Sequence, residues 1–291
     1  MSSQLPVIGR FAPTPSGPLH MGSLVAALAS YLHARQHCGQ WLVRIEDIDP
    51  PREQRGADQF ILQQLNHHGL FWDGEVLYQS RRLQRYRTAA EQLVAGSAAY
   101  FCNCTRRRLQ SLDKRLYDRH CLASPPNQNQ PTAIRLNIAG MQAVEFNDLY
   151  LGPQRQDVAV QVGDFPIWRR DGLVSYQLAV VIDDAEQGVT DVVRGTDLLD
   201  NTGRQILLQK SLGLATPQYG HIPVVTDSLG QKLSKQNHAV PLPAEQPSAS
   251  LITALAHLGL NPPPALASQS PQTVLDWALP EWVNLHSPSP I

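Results

Sequence analysis

Residues 10 to 23 read Arg-Phe-Ala-Pro-Thr-Pro-Ser-Gly-Pro-Leu-His-Met-Gly-Ser, and this stretch decides how the first half of the chain folds. It joins a short apolar strand, Val7 to Ala12, to a turn at Thr14 to Pro18 and then to an Ala- and Leu-rich helix, Leu19 to Gln36. A helix that begins directly behind a turn offers free backbone N–H groups and the positive end of its dipole. The stretch therefore predicts an anion site that would suit a triphosphate.

Strands and helices alternate along the chain that follows. Gln40 to Ile45 predicts a second strand, and Gly56 to His68 and Arg81 to Val94 predict two helices. This order favours an α/β fold with a Rossmann-like parallel sheet covered by helices. The pattern breaks near Tyr100 and resumes in later strand-like or helical segments, at Leu173 to Asp183, Val189 to Val193, Thr202 to Leu212, Ala249 to Leu258 and Thr273 to Trp277.

The bulk composition predicts a folded protein of two packed units. Of the 291 residues, 42% are hydrophobic and 17% are charged, so a large core can be buried. The formal net charge of -1 means that any nucleic-acid site must be a local basic patch. No apolar run reaches the ~20 residues that cross a bilayer, and the start lacks the pattern of a secretory signal. We therefore expect a cytoplasmic protein with no membrane partner.

Two motifs of the first half carry candidate chemistry. His20 can donate to phosphate oxygens, and Gly22 has no Cβ, so a flat base could lie against the backbone. For an isolated His-x-Gly, a plain turn with a histidine at the helix start is the better explanation. Residues 42 to 52, Leu-Val-Arg-Ile-Glu-Asp-Ile-Asp-Pro-Pro-Arg, add three carboxylates that could bind a metal, cap a helix or hold an ammonium group. Taken alone, capping and solvation explain them best.

Two later segments add an aromatic residue and an arginine. Asp171 to Asp184 is on its apolar content a buried strand or helix face, in which Tyr176 could be a core residue. Val193 to Gln205 is a charged loop that leads into a helix, and a surface ion pair would explain Arg194.

The last motif, Gly-Gln-Lys-Leu-Ser-Lys-Gln-Asn at residues 230 to 237, places two lysines in a loop that contains Gly and Ser. By itself it would be a solvated lysine pair. Together, in order and spacing, the motifs resemble the glutamyl-tRNA synthetases of class I, from about residue 8 to residue 240. The first stretch is similar to the HIGH motif, with Ser23 where a second histidine often stands, and the lysine loop is similar to the KMSKS loop.

The resemblance implies roles for individual residues. Glutamate would be activated by ATP with Mg²⁺, with Glu46 meeting the α-amino group and Lys235 meeting the pyrophosphate as it leaves. Because a guanidinium fork suits a carboxylate better than an amide, Arg10 and Arg194 favour glutamate over glutamine. The expected sets are: catalysis by His20, Lys232 and Lys235; ATP binding by Pro13, His20, Gly22, Ser23 and Lys235; and glutamate binding by Arg10, Ala12, Thr14, Glu46, Tyr176 and Arg194.

Three cysteines, Cys102, Cys104 and Cys121, predict a metal site rather than a disulfide in a reducing compartment. Tetrahedral zinc requires a fourth ligand. Spacing alone nominates His120, whereas the resemblance implies Tyr117, because short synthetases of the glutamyl-queuosine type carry a Cys-x-Cys…Tyr-x-x-x-Cys zinc site. We expect one structural zinc ion, and unbound thiols are the alternative.

The chain offers only 55 residues after Gln236, and these cannot contain the large anticodon-binding region of full-length glutamyl-tRNA synthetases. A synthetase without that region resembles the glutamyl-queuosine type, which implies transfer of glutamate to the queuosine base of tRNA(Asp). A different acceptor, or an inactive paralogue that only binds, is the alternative. Candidate RNA contacts are Arg81, Arg82, Arg85 and Arg106 to Arg108, some of which are also explained as solvated faces. We expect a monomer.

The predicted organisation has four segments. Residues 1–98 form the first half of the Rossmann-like catalytic domain and 99–168 an insertion with the zinc cluster, similar to an acceptor-binding domain. Residues 169–238 form the second half with the lysine loop, and 239–291 form a short helical C-terminal region.

Overall fold

The computed structural model describes residues 6–112, 116–127, 130–226, 240–243 and 245–286. The strands within these ranges are β1 (Ile8–Phe11), β2 (Gln40–Ile45), β3 (Leu77–Tyr78), β4 (Ala99–Cys102), β5 (Ala133–Leu136), β6 (Val144–Asp148), β7 (Gly152–Gln156), β8 (Pro166–Trp168), β9 (Asp191–Gly195) and β10 (Gln218–Ile222). The α-helices are α1 (Met21–Gln36), α2 (Ala57–His67), α3 (Leu83–Ala95), α4 (Arg106–Gln110), α5 (His120–Ala123), α6 (Val158–Gln161), α7 (Tyr176–Glu186), α8 (Leu199–Leu212), α9 (Pro247–His257) and α10 (Pro271–His286).

The chain folds into two compact units. The first unit consists of Met1–Tyr78, Val189–Leu198 and Tyr219–Ile291, and the second of Gln79–Gly188 and Leu199–Gln218. The chain therefore leaves the first unit twice and returns to it twice. The four-segment organisation from the sequence stays a prediction.

A parallel sheet lies at the centre of the first unit. β1 pairs in parallel with β2, with Arg10 opposite Leu42, and β2 pairs in parallel with β3. The predicted parallel sheet is therefore confirmed, and β2 has both of its predicted bounds. Parallel strands are covered on both faces, which explains why β2 is fully buried at Trp41 and Val43 on one face and at Arg44 on the other.

Helix α1 is the central helix of the first unit. Its Ala- and Leu-rich sequence has buried residues on several sides, because β1 and β9 and the C-terminal helices α9 and α10 all pack against it. It begins at Met21 rather than at the predicted Leu19, since His20 occupies the N-cap position with an extended backbone. Helix α10 is much longer than the predicted Thr273 to Trp277 and buries Trp282.

Strands β9 and β10 form a two-stranded sheet. β9 begins beside β1, because the Thr190 N–H donates to the Ile8 carbonyl at 3.0 Å and the Ile8 N–H donates to the Thr190 hydroxyl at 2.8 Å. Next to them, the buried Asp191 accepts from His33 of α1 at 3.0 Å and from the Thr190 hydroxyl at 2.6 Å. These contacts fasten α1 to the start of β9.

The second unit is built on antiparallel strands. β4, β5 and β8 form a three-stranded antiparallel sheet, and β6 and β7 form a hairpin. The segment from 171 to 184, which the sequence left open between strand and helix, is helical from Tyr176 onward, as α7. The Ser175 hydroxyl at its N-cap accepts from the Leu178 N–H. Asp183 of this helix is fully buried and accepts hydrogen bonds from Gln79, Arg82 and Tyr86.

Within the described ranges, every helix is too short or too polar to span a bilayer.

Candidate functional site

The N-terminus of α1 has His20 at its N-cap position. The Nδ1 atom of His20 accepts from the Ser23 N–H at 3.4 Å. A neutral imidazole that accepts at Nδ1 carries its proton on Nε2, so the other ring nitrogen is a donor. The preceding Leu19 is held to α2, because its N–H donates to the side-chain oxygen of the buried Gln64 at 2.7 Å. The turn and the helix start are thus fixed before any ligand binds.

The segments that leave β1 and β2 lie side by side. The Glu46 N–H donates to the Pro13 carbonyl at 3.0 Å, and the Gln54 N–H donates to the Pro15 carbonyl at 2.9 Å. Ligands of open α/β sheets bind beyond the carboxyl ends of the strands. The structure therefore brings the predicted stretch from Arg10 to Thr14 and the carboxylate of Glu46 to the same edge of the first unit.

Glu46 is buried next to an arginine of its own strand. Its Oε1 atom lies 3.8 Å from Nε of Arg44, whose side chain is fully buried. The two residues are two positions apart, so their side chains project from the same face of the extended chain. A carboxylate at this position can hold an ammonium group.

Arg194 lies near the end of β9 and is buried, like Arg10. Its Nε donates to Nε2 of His221 at 3.1 Å, and its guanidinium carbon lies 5.1 Å from the ring centroid of Tyr219. His221 and Tyr219 are two positions apart on β10, so both face the arginine. Since a protonated Nε2 could not accept this bond, His221 is neutral and has its proton on Nδ1. This pair holds the guanidinium in one orientation.

Gly195 allows the turn behind Arg194 to close. A Cβ at this position would lie 2.4 Å from Oδ1 of Asp197 and 3.2 Å from Cγ1 of Val224. Any side chain here would therefore require the Asp197 carboxylate to move away.

Lys232 and Lys235 lie outside the described residues. The chain that follows them returns to the helix start, where Pro241 forms an antiparallel bridge with His20 and the Leu242 N–H donates to the Leu19 carbonyl at 3.0 Å. The part of the chain directly after the lysine motif is therefore anchored beside His20.

Tyr176 belongs to the second unit, where it is the first residue of α7 and half-buried. Of the other predicted site residues, nine belong to the first unit: Arg10, Ala12, Pro13, Thr14, His20, Gly22, Ser23, Glu46 and Arg194.

The three predicted cysteines form one cluster in the second unit. Their Sγ atoms lie within 4.8 Å of one another, with Cys104 and Cys121 3.5 Å apart. The Tyr117 hydroxyl lies 3.3 Å from Sγ of Cys102 and 3.4 Å from Sγ of Cys104. Four donors at bond lengths of ~2.0–2.3 Å around tetrahedral zinc would lie roughly 3.4–3.8 Å apart. The donor set with Tyr117 therefore fits a tetrahedral ion.

Positive charge surrounds this cluster. Arg135 donates to Sγ of Cys102 at 3.3 Å, and its guanidinium carbon lies 4.1 Å from the ring centroid of Tyr117. Burial disfavours the Cys102 thiolate, but the hydrogen bonds from Tyr117 and Arg135 outweigh it and lower the pKa of this thiol. Burial raises the pKa of Cys104 to about 11. Burial and the neighbouring cysteines raise the pKa of Tyr117, and the Cys121 N–H, which donates to its oxygen at 2.9 Å, partly opposes this shift.

Sequence reasoning missed three residues that complete these two sites: Tyr219, His221 and Arg135. The only local signal for the first two is their i, i+2 spacing on a strand. Arg135 has no local signal, because it comes from β5, far along the chain from Cys102.

Comparison with known proteins defines the class. Residues 6–265 match the family of class I tRNA synthetases (E and Q), catalytic domain. The protein is thus a ligase of the class I tRNA synthetase type, in agreement with the parallel sheet and the capped helix of its first unit. Within this class, the chain belongs to the glutamyl-Q tRNA(Asp) synthetase family, as its similarity to curated relatives of that name shows.

These relatives are similar over nearly their full length. The chain is 49% identical over 282 residues to the Aromatoleum aromaticum protein, covering 95% of this chain and 89% of the relative. It is 50% identical over 275 residues to the Pseudomonas aeruginosa protein, covering 94% and 93%.

A solved structure supports the fold. The glutamate-tRNA synthetase from Elizabethkingia anophelis superposes with a TM-score of 0.78 at 25% identity, over 92% of this chain. The chain spans only 65% of the length of that synthetase.

Proposed function

We propose that this enzyme activates glutamate with ATP and transfers it to the queuosine base in the anticodon of tRNA(Asp). The observation that carries this proposal is the identity of about half of all residues, over nearly the full length of both chains, to relatives named for this activity. The buried arginines Arg10 and Arg194 support an acidic amino acid as the substrate.

In the first step, a carboxylate oxygen of glutamate attacks the α-phosphorus of ATP. The bond to the bridging oxygen of the β-phosphate breaks, and pyrophosphate leaves with its electron pair, giving glutamyl-adenylate. His20 donates from Nε2 to the phosphate oxygens, where negative charge builds up in the transition state. Mg²⁺ enters with ATP as part of the substrate.

Glutamate is held by charge at both ends. Glu46 pairs with the α-ammonium group at the carboxyl edge of β2, and Ala12 and Thr14 line the neighbouring segment. Arg10, Arg194 and Tyr176 hold the side-chain carboxylate. His221 and Tyr219 fix the Arg194 guanidinium before the substrate arrives, so less side-chain entropy is lost on binding.

Lys232 and Lys235 are the cations proposed for the departing pyrophosphate. Lys235 precedes Pro241 by six positions in the sequence, and Pro241 pairs with His20. The pairing of Pro241 with His20 supports a role for the two lysines together with His20, Pro13, Gly22 and Ser23 around the nucleotide.

In the second step, a hydroxyl of the queuosine cyclopentenediol attacks the carbonyl carbon of glutamyl-adenylate, and AMP leaves. The proposed RNA surface includes Arg81 and Arg85, which line an open cavity of about 490 Å³ along α3. Arg82 is bound to Asp183 and Glu186, and Arg108 to Asp118, so these two arginines stabilise the protein itself. Of the run Arg106 to Arg108, Arg106 and Arg107 are therefore the better candidates for RNA contacts.

The cysteine cluster is proposed to hold one structural zinc ion through Cys102, Cys104, Tyr117 and Cys121. The short distances from the Tyr117 hydroxyl to two thiols favour it over His120, whose side chain is exposed at the start of α5. Bound zinc would supply folding energy to the second unit, and no step of the reaction runs through it. We further propose a monomeric cytoplasmic enzyme.

The deciding experiment compares two tRNA pools. Radiolabelled glutamate, ATP and the enzyme are incubated with queuosine-containing tRNA and with queuosine-free tRNA, and ATP–pyrophosphate exchange is measured in parallel. We expect exchange with glutamate and label only in the first pool. Equal label in both pools would mean that the acceptor is a group other than queuosine. Absence of exchange with every amino acid would mean that the protein binds its ligands without activating an amino acid.

A further inference from the structure

Helix α8 contains an arginine, Arg204, to which the proposed reaction gives no role. Its side chain is half-buried. Nη2 of Arg204 donates to Oδ1 of Asn201 at 2.5 Å, and the same oxygen accepts from Nε2 of Gln177 at 2.6 Å. The guanidinium is therefore held by one neutral oxygen, which it shares with a second donor.

The charge of Arg204 is not neutralised by a contact in the described part of the protein. Its Nε is buried without a hydrogen-bond partner there, and the ion pairs found in those ranges do not include it. Burial lowers the pKa of Arg204, and the electrostatic effects of Asp200 and Tyr176 oppose this shift. Arg82 of the same unit, by contrast, contacts two carboxylates. A buried cation normally has an anionic partner. We therefore expect the partner of Arg204 to be an anionic ligand.

The surroundings of Arg204 indicate which ligand would bring this anion. Tyr176, the first residue of α7, directly precedes Gln177, and Gln177 donates to the same Asn201 oxygen as Arg204. Arg204 also lies in the second turn of α8, close to the positive end of that helix dipole. A small carboxylate can reach a half-buried guanidinium through its outer N–H groups. The position beside Tyr176 therefore favours the amino-acid substrate.

We propose that Arg204 binds a carboxylate oxygen of the glutamate substrate, next to Tyr176. This inference rests on the proposed function, because it assigns one more binding residue to the same substrate. The guanidinium offers its outer N–H groups to the carboxylate, and Asn201 and Gln177 hold it from behind. Substrate binding supplies the negative charge that the free protein does not place against this arginine.

The test uses Arg204→Gln and Arg204→Lys, with Lys210→Gln as the matched control. Lys210 is an exposed cation on the same helix, so its removal changes the net charge equally. ATP–pyrophosphate exchange is measured at varied glutamate and at varied ATP. We expect Arg204→Gln to raise the KM for glutamate about 10- to 100-fold and to leave the KM for ATP unchanged. The KM of Arg204→Lys for glutamate should lie between those of the wild type and Arg204→Gln, since an ammonium keeps the charge but loses the two-pronged geometry of the guanidinium.

Thermal unfolding provides the second readout. Because Arg204 bonds only a neutral amide, Arg204→Gln should unfold at the same temperature as the wild type or higher. The upward shift that saturating glutamate gives the wild type should become much smaller in this variant.

Three outcomes would overturn the inference. An unchanged KM for glutamate in Arg204→Gln would reduce Arg204 to a structural residue. A change confined to the KM for tRNA in the transfer assay would assign it to RNA. A wild type that shows neither exchange nor a glutamate-induced rise in unfolding temperature would remove both the proposed function and this inference. If the wild type and Arg204→Gln both behave normally, only the inference is removed.

Discussion

His20 shows how a single residue can serve both the fold and the chemistry. Its Nδ1 caps α1, and the same hydrogen bond keeps the proton on Nε2. The capping atom thereby orients the atom that we assign to the phosphates. Stability and activity should then be separable at this residue, because each depends on a different ring nitrogen.

We predict that His20→Asn keeps the stability of the protein but loses activity. An asparagine caps helices well through its side-chain oxygen, but it cannot reach as far as Nε2. ATP–pyrophosphate exchange should fall about 100-fold or more, while the free energy of unfolding changes by less than about 0.5 kcal/mol. His20→Ala is the matched comparison, since it should lose the activity and also about 1 kcal/mol of stability. Near-normal exchange in His20→Asn would remove Nε2 from the mechanism.

At the scale of elements, the contact between α1 and β9 holds the first unit together. His33 of α1 and Asp191 at the start of β9 are far apart in the sequence, but both are buried at their contact. Thr190 joins them to β1 through the Ile8 N–H. β9 ends at the Arg194 site, so this fastening also positions one of the proposed substrate arginines.

We predict that Asp191→Asn destabilises the protein by about 1–3 kcal/mol near neutral pH. Burial opposes ionisation of Asp191, but the hydrogen bonds from His33 and Thr190 outweigh it and lower its pKa. A lowered pKa in the folded state gives stability that is present above the unfolded value of about 3.9 and is lost as the pH falls through the folded pKa. The difference between wild type and variant should therefore shrink in acid below pH ~4.

Urea unfolding at pH 7 and at pH 3 measures this difference. Glu75→Gln is the control, since Glu75 is an exposed carboxylate of the same unit. A constant difference between Asp191→Asn and wild type at both pH values would contradict the charge-based account.

The local sequence was enough to bound one element, β2, but not helices α10 and α7. β2 has both predicted bounds because its apolar run ends at Gly39 on one side and at carboxylates on the other. Helix α10 could not be bounded from sequence, because Pro280 inside it reads as a helix breaker. The segment of α7 was ambiguous, since a short apolar run fits a buried strand and a buried helix equally well.

At the scale of the whole molecule, the chain passes twice from the first unit to the second and back. Arg194 belongs to the first unit and Tyr176 to the second. The cysteine cluster belongs to the second unit alone, so loss of a metal there should act first on the stability of that unit.

We predict about one zinc ion per chain and its loss in Cys121→Ser. This variant should unfold at a lower temperature, because metal-binding free energy contributes to folding. Cys38→Ser is the matched control, since Cys38 is an exposed cysteine of the first unit, outside the cluster. Metal analysis and calorimetry of protein purified without chelators measure both effects. An absence of zinc in the wild type would mean that the cysteines are plain thiols.

The sequence by itself determined the order of the motifs, the parallel strands, the helix behind the first turn and the three cysteines. Each of these is encoded locally, by residue type and by spacing over a few positions. The tertiary structure decided the partners: His221 for Arg194, Asp191 for His33, and Arg135 for Cys102. Such pairs join residues far apart along the chain, and they form only when packing brings distant elements together. The neutral surroundings of Arg204 are decided in the same way, by the packing of α7 on α8.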